Sequence, residues 1–178
     1  PGQTNHDLYI KSFIKEIEEN EEYAGVKVVA RAATNQDTVK AYNSTLSIIQ
    51  ANPDLKAIVM PEGPSCQGAA QAVKEKGSNI LVLTRDLNVT ILDQIKSGEV
   101  WGAINPDQGN QGYFGMLFLY LLKHSEMIDP MTSWEKDGVN PFNLPYVNNG
   151  MNVVTAANAD DYYWDKYLKR RGTKGIEE

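Results

Sequence analysis

Apolar residues alternate between two spacings along this chain. Behind Asn5, a residue suited to capping, Ile10, Phe13, Ile14 and Ile17 fall at i, i+3, i+4 and i+7, which predicts a first helix. Gly25 interrupts that spacing, and residues 26–32, Val-Lys-Val-Val-Ala-Arg-Ala, alternate partly in twos as a strand does. Residues 35–51 return to helical spacing, with Val39, Tyr42, Leu46 and Ile49 on one face and Asn52-Pro53 as the stop. A short strand, Ala57–Met60, runs into Pro61-Glu62-Gly63-Pro64. Pro64 suits the start of the next helix, where Ala69, Ala70 and Val73 are small enough to lie on a sheet and Gly77 ends the turn.

Residues 79–86, Asn-Ile-Leu-Val-Leu-Thr-Arg-Asp, give the strongest strand signal. Four apolar residues in succession, Ile80, Leu81, Val82 and Leu83, predict a strand covered on both faces. A helix follows from about Asn88, with Val89, Leu92 and Ile95 inward, and Ser97-Gly98 stops it. Residues 100–104 form another strand, and residues 105–112 a strongly polar loop. The run 113–122, beginning at Tyr113 and ending at Leu122, is apolar nearly all round and calls for two neighbours. A long loop-like stretch, residues 124–150, precedes a last strand, Met151–Thr155, and an aromatic helix with Tyr162, Tyr163, Trp164 and Tyr167.

Strand and helix alternate with short connections and no hairpin signal. That order predicts an α/β fold: an open parallel sheet flanked by helices in three Rossmann-like layers. Right-handed crossovers bring every strand's carboxyl end to one edge, where open α/β sheets bind ligands. Three of those ends are polar: Pro61-Glu62, Arg85-Asp86 and residues 105–108. Residues 1–6 stand where a fourth would be, so a strand is expected ahead of them.

Composition removes several classes. A chain of 178 residues, 42% hydrophobic, supports a real core as one domain or one and a fraction. Its net charge of -6, without a basic stripe, argues against nucleic acid. The run 113–122 is too short to span a bilayer, and no signal-peptide order stands at the N-terminus. The single cysteine, Cys66, excludes an internal disulfide. His6 and His124 belong to no spaced Cys/His set, so no metal site is expected, and no Gly-x-Gly-x-x-Gly announces a dinucleotide cofactor.

Gly63-Pro-Ser65-Cys-Gln67 sits between strand and helix as a nucleophile elbow would. Its second glycine is Gly68, one position late, and only two histidines could serve as base, so no enzyme is expected. What remains is a group of Asn, Gln, Asp and Arg side chains whose planar hydrogen bonding suits sugar hydroxyls. Trp101 and Tyr9 are available for stacking or for the core. Arg85 and Asp86 read two ways, as recognition groups or as an ion pair and cap for the helix near Asn88.

Four runs carry a resemblance: Gln3-Thr-Asn5-His6-Asp7-Leu-Tyr9-Ile10, Asn52-Pro-Asp54-Leu-Lys-Ala57-Ile58-Val-Met-Pro61, Gly68-Ala-Ala70-Gln-Ala-Val-Lys-Glu-Lys-Gly77 and Ile95-Lys-Ser-Gly98-Glu-Val100. In that order and spacing they resemble type I periplasmic sugar-binding proteins of ABC transporters, within them the rhamnose-binding and autoinducer-binding branch. The resemblance implies two similar lobes closing on a sugar or sugar-derived signal, delivery to an importer permease, and a periplasmic or membrane-anchored lipoprotein. It also implies that this chain is the second half: residues 1–105 the C-terminal lobe lacking its first strand, 106–150 a hinge crossing and a helix made for the absent N-terminal lobe, and 151–178 the return strand and last helix. By position, the ligand contacts implied are Asn5, His6, Pro61, Gly63, Asp86 and the hinge stretch with Asn105 and Asp107. Arg85 stands where an apolar residue is customary, and Pro106 where an aromatic or Gln is usual. The apolar run through Leu122, bared of its second neighbour, is expected to drive self-association. The ligand-sensing part of a transcriptional regulator or sensor kinase shares this fold and is the second reading.

Overall fold

The computed structural model describes residues 4–124 and 150–166. Among these residues the main helices and strands are α1 (Thr4–Glu19), α2 (Thr38–Ala51), β1 (Ala57–Met60), α3 (Gly63–Glu75), β2 (Leu81–Arg85), α4 (Val89–Ser97), β3 (Gly102–Pro106), α5 (Gln108–Lys123) and β4 (Met151–Thr155), alternating as predicted from β1 to α5. The chain divides into two units. The first comprises Pro1–Asn105 with Val153–Glu178, and the second Pro106–Asn152.

The sheet has the order β1-β2-β3-β4. β1 to β3 are parallel, with Val59 beside Leu83 and Arg85 beside Ile104. β4 runs against β3: a Cβ on Gly102 would meet the Val154 carbonyl, whereas the Asp107 amide, past the other end of β3, donates to the Gly150 carbonyl at 3.4 Å. The sheet is therefore open and mixed.

The core lies on one face of this sheet. Val82 and Thr84 of β2, Val100, Ala103 and Val154 are buried under Ala69, Ala70 and Val73 of α3 and Ile91, Leu92 and Ile95 of α4. Burying an Ile or Val side chain stabilises by roughly 1.5–3 kcal/mol, so this single layer carries most of the apolar stabilisation of the first unit. Small residues let α2 approach α3: Ala41 and Thr45 are buried against a helix that presents Ala69, Ala72 and Gly68. Tyr42 locks the pair by donating its phenol to the Glu75 carboxylate.

Five expectations change. Residues 26–32 form no strand, and Val26, Val28 and Val29 are exposed, because a strand needs a hydrogen-bonded neighbour and β1 ends the sheet without pairing to them. β2 is covered on one face only. Its alternate residues Val82 and Thr84 are buried while Leu81 is 46% exposed. α2 starts at Thr38, since Asn35 and Gln36 take left-handed φ of 56° and 62° and Asp37 supplies the cap, accepting from the Lys40 amide at 2.8 Å. Val39 and Val89 point outward, and the small or central residues Ala41 and Ile91 take the inward places. The polar loop 105–112 is mostly the start of α5: Asp107 caps that helix by accepting from the Asn110 amide at 2.9 Å. Of the predicted long loop, residues 125–149 with Trp134, and of the predicted last helix and tail, everything beyond Lys166 including Tyr167, lie outside the described residues.

In the second unit α5 has no buried residue, and Tyr113, Met116, Leu119 and Tyr120 are half or more exposed. Phe114 and Phe118 stack one turn apart at 6.0 Å, and Tyr120 and His124 meet at a tilt at 4.4 Å.

Candidate functional site

The carboxyl ends of β1, β2 and β3 lie side by side, and each leads into a polar turn. At the end of β1, Pro61 is half-buried and Glu62 is extended and buried. Both carboxylate oxygens of Glu62 accept from the Ser65 amide at 3.2 Å, so the acid caps α3, where the helix dipole favours a negative charge. Gly63 packs closely on Asn88, where an added Cβ would stand 3.2 Å from Nδ2, and Asn88 in turn caps α4 by accepting from the Ile91 amide at 2.9 Å. Ser65 leaves the capping to Glu62. Its hydroxyl donates to Thr34 Oγ1 at 2.7 Å and brings the 34–37 turn, with left-handed Asn35 and Gln36, to the same edge.

At the end of β2, Arg85 and Asp86 form a loose ion pair at 3.8 Å, both half-buried. Asp86 has φ of 81°, a left-handed conformation that Asp tolerates better than most residues, and its amide donates to the Ile104 carbonyl at 3.2 Å. The helix near them is capped by Asn88, so Asp86 is free of that task. Tyr9 of α1 joins this corner. Burial pushes its phenol up, and the Arg85 guanidinium pulls the other way. The first turns of α1 thus come within electrostatic reach of Arg85, with His6 half-buried and Asn5 exposed. Asn105 ends the first unit half-buried on β3, whereas Asp107 belongs to the second unit as the α5 cap.

Sequence reading missed Thr84 and the pair Asn35-Gln36. The signals were present: a hydroxyl ending an apolar strand, and an Asn just ahead of an Asp suited to capping. Tyr9 was noticed without its partner.

Neither nucleophile of the 63–68 turn reaches solvent. Ser65 and Cys66 are fully buried, and burial pushes the Cys66 thiol up to about 12, with Thr84 lowering it less and Glu62 raising it further. A thiol held neutral and out of solvent is inert. Among the described residues, no group of three His, Cys, Asp or Glu could hold a metal ion. A hollow of about 400 Å³ lies at the opposite edge of the sheet, lined by Leu81, Glu99, Trp101 and Thr155 among others. It gathers few polar groups, and the corner at Arg85 and Asp86 has the better claim to recognition.

The polar corner lies at the carboxyl edge of an α/β lobe, the place where open α/β sheets bind their ligands. The family model for the periplasmic binding protein domain matches residues 1–126, and the chain belongs to that family. The D-allose-binding periplasmic protein of Escherichia coli (strain K12) is 24% identical over 108 residues, 60% of this chain and 35% of that protein. The solved structure of AraP, an arabinose-binding protein from Geobacillus stearothermophilus, matches with a TM-score of 0.79 at 27% identity, covering 92% of this chain and 54% of that one. A sugar-binding protein of a sugar ABC transporter from Bacillus halodurans matches with a TM-score of 0.77 at 22% identity, covering 92% and 55%. The chain thus spans about half the length of these solved relatives.

Proposed function

We propose that this chain is the C-terminal lobe of the substrate-binding component of an ABC importer, taking a sugar or sugar-like small molecule at the carboxyl edge of its sheet. The observation that carries this reading is the Arg85–Asp86 pair beside Tyr9, set in a family fold whose relatives bind arabinose and D-allose. A carboxylate and a guanidinium together can accept from and donate to vicinal hydroxyls, and a phenol adds a flat apolar surface. Asn5, His6, Pro61, Gly63 and Asn105 complete the near wall, and Asp107 belongs to the hinge crossing.

In this reading residues 1–105 are the lobe without its first strand, 106–150 cross the hinge and carry α5 to the other lobe, and 151–178 return. A strand inserted beside β1 would also give residues 26–32 the neighbour they lack. The full-length protein works on the periplasmic or extracellular side, held by a lipid anchor, and hands its sugar to a permease. Residues 1–178 alone self-associate through α5.

Native mass spectrometry of the full-length protein, followed by calorimetry with a panel of aldoses and ketoses, tests the reading. A co-purified sugar with matching saturable binding supports it. A bound nucleotide cofactor, or turnover of a sugar, overturns it.

A further inference from the structure

Beneath the Arg85–Asp86 corner lies a hydroxyl that the binding reading does not use. Thr84 is 2% exposed, and the single proton of its Oγ1 is shared between two carbonyls, that of Arg85 at 2.9 Å and, on the longer arm, that of Glu62 at 3.3 Å. The Arg85 carbonyl and the Asp86 amide belong to one peptide unit. Its oxygen is held by Thr84 and its N–H by the Ile104 carbonyl at 3.2 Å. A peptide plane is rigid, so fixing both poles fixes its orientation. That orientation fixes the direction of the Asp86 N–Cα bond, about which the residue takes its left-handed φ of 81° and from which its carboxylate departs.

The longer arm of this shared bond reaches the other turn. The Glu62 carbonyl it touches belongs to the residue whose carboxylate caps α3, and Ser65 of that cap holds Thr34. One buried hydroxyl therefore ties the exit of β2 to the exit of β1, and through Ser65 to the 34–37 turn. The Cys66 thiol, whose titration Thr84 influences, is fully buried and has no access to solvent.

We propose that Thr84 is the positioning residue of this edge: its hydroxyl holds the Arg85–Asp86 peptide and the Glu62 turn in one geometry and so sets the direction of the Asp86 carboxylate toward a ligand. It touches no ligand itself. Sites hold their groups to within about half an ångström through such supporting bonds. The consequence for a ligand rests on the sugar-binding reading, whereas the consequence for the backbone does not.

The test uses the full-length protein and two variants, Thr84→Val, which removes the hydroxyl at nearly constant shape, and Thr84→Ser, which keeps it. The first arm is amide hydrogen exchange without ligand. Thr84→Val is expected to speed exchange at Asp86 by about tenfold or more relative to the Val82 and Leu83 amides, and Thr84→Ser to restore the wild-type pattern. Equal exchange in wild type and Thr84→Val, or uniform acceleration across the core, overturns the proposal, since uniform loosening is what a purely structural hydroxyl would give. The second arm is calorimetry with the sugar that binds the wild type best and its epimers. Thr84→Val is expected to narrow the discrimination between epimers, and Thr84→Ser to recover it; unchanged discrimination in Thr84→Val overturns the ligand part. If the wild type binds no sugar, the sugar reading fails, and the exchange arm alone still decides the positioning role.

Discussion

Gly68 of α3 lies so close to α2 that a Cβ on it would stand 2.2 Å from the Thr38 carbonyl oxygen and 3.0 Å from the Tyr42 amide nitrogen. The glycine one place too late for a nucleophile elbow is therefore where two helices touch backbone to backbone. Gly68→Ala forces them apart along their whole interface. It is expected to destabilise the full-length protein by roughly 2–4 kcal/mol, read as a shift in the urea midpoint. A change below about 0.5 kcal/mol would show that α2 yields easily.

Asp86 combines a left-handed backbone with a carboxylate paired loosely to Arg85. Asn tolerates the same backbone, so Asp86→Asn should leave stability within about 0.5 kcal/mol of wild type. It removes the charge, and hydrogen bonds to charged groups are worth about 1.5–3 kcal/mol. Calorimetry of the full-length protein is expected to show sugar affinity falling at least tenfold. Unchanged affinity would remove Asp86 from the site.

The Cys66 thiol, pushed up to about 12 from an ordinary 9.0, stays protonated in the folded protein where the unfolded chain has lost its proton. A raised folded value means that its contribution is complete below about pH 9 and declines between there and about 12, at a slope approaching 1.4 kcal/mol per pH unit. Urea titrations from pH 7 to 11 should show this decline in wild type and a shallower one in Cys66→Ala. At pH 8 iodoacetamide should label Cys66 only after denaturation.

The apolar face of α5 gives a prediction about association. With Met116 at 69% and Leu119 at 59% exposure, residues 1–178 expressed alone should sediment as more than a monomer. Met116→Glu with Leu119→Glu should restore the monomer. A wild-type chain that is monomeric at high micromolar concentration contradicts the self-association.

Sequence alone determined the order of elements, because helical and strand spacing are local properties of side-chain periodicity. It located α1, β1, α3, β2, α4 and β3 and marked Pro61, Arg85-Asp86 and Asn105 as polar ends, since an apolar run that stops at charged residues shows where a strand leaves the core. The runs around Asn5, Pro61, Gly77 and Gly98 also carried the family. Periodicity could not show that residues 26–32 lack a neighbour, that Leu81 faces outward, or that β4 runs against β3, because each depends on which strand lies alongside. Nor could it show what the Thr84 hydroxyl holds. Its importance comes from two carbonyls, Glu62 and Arg85, that are 23 residues apart in the chain and meet only when β1 and β2 pair in register. Tertiary structure decided that the end of β2 is a built corner, with Tyr9 on one side, Ile104 on the other and a buried hydroxyl underneath.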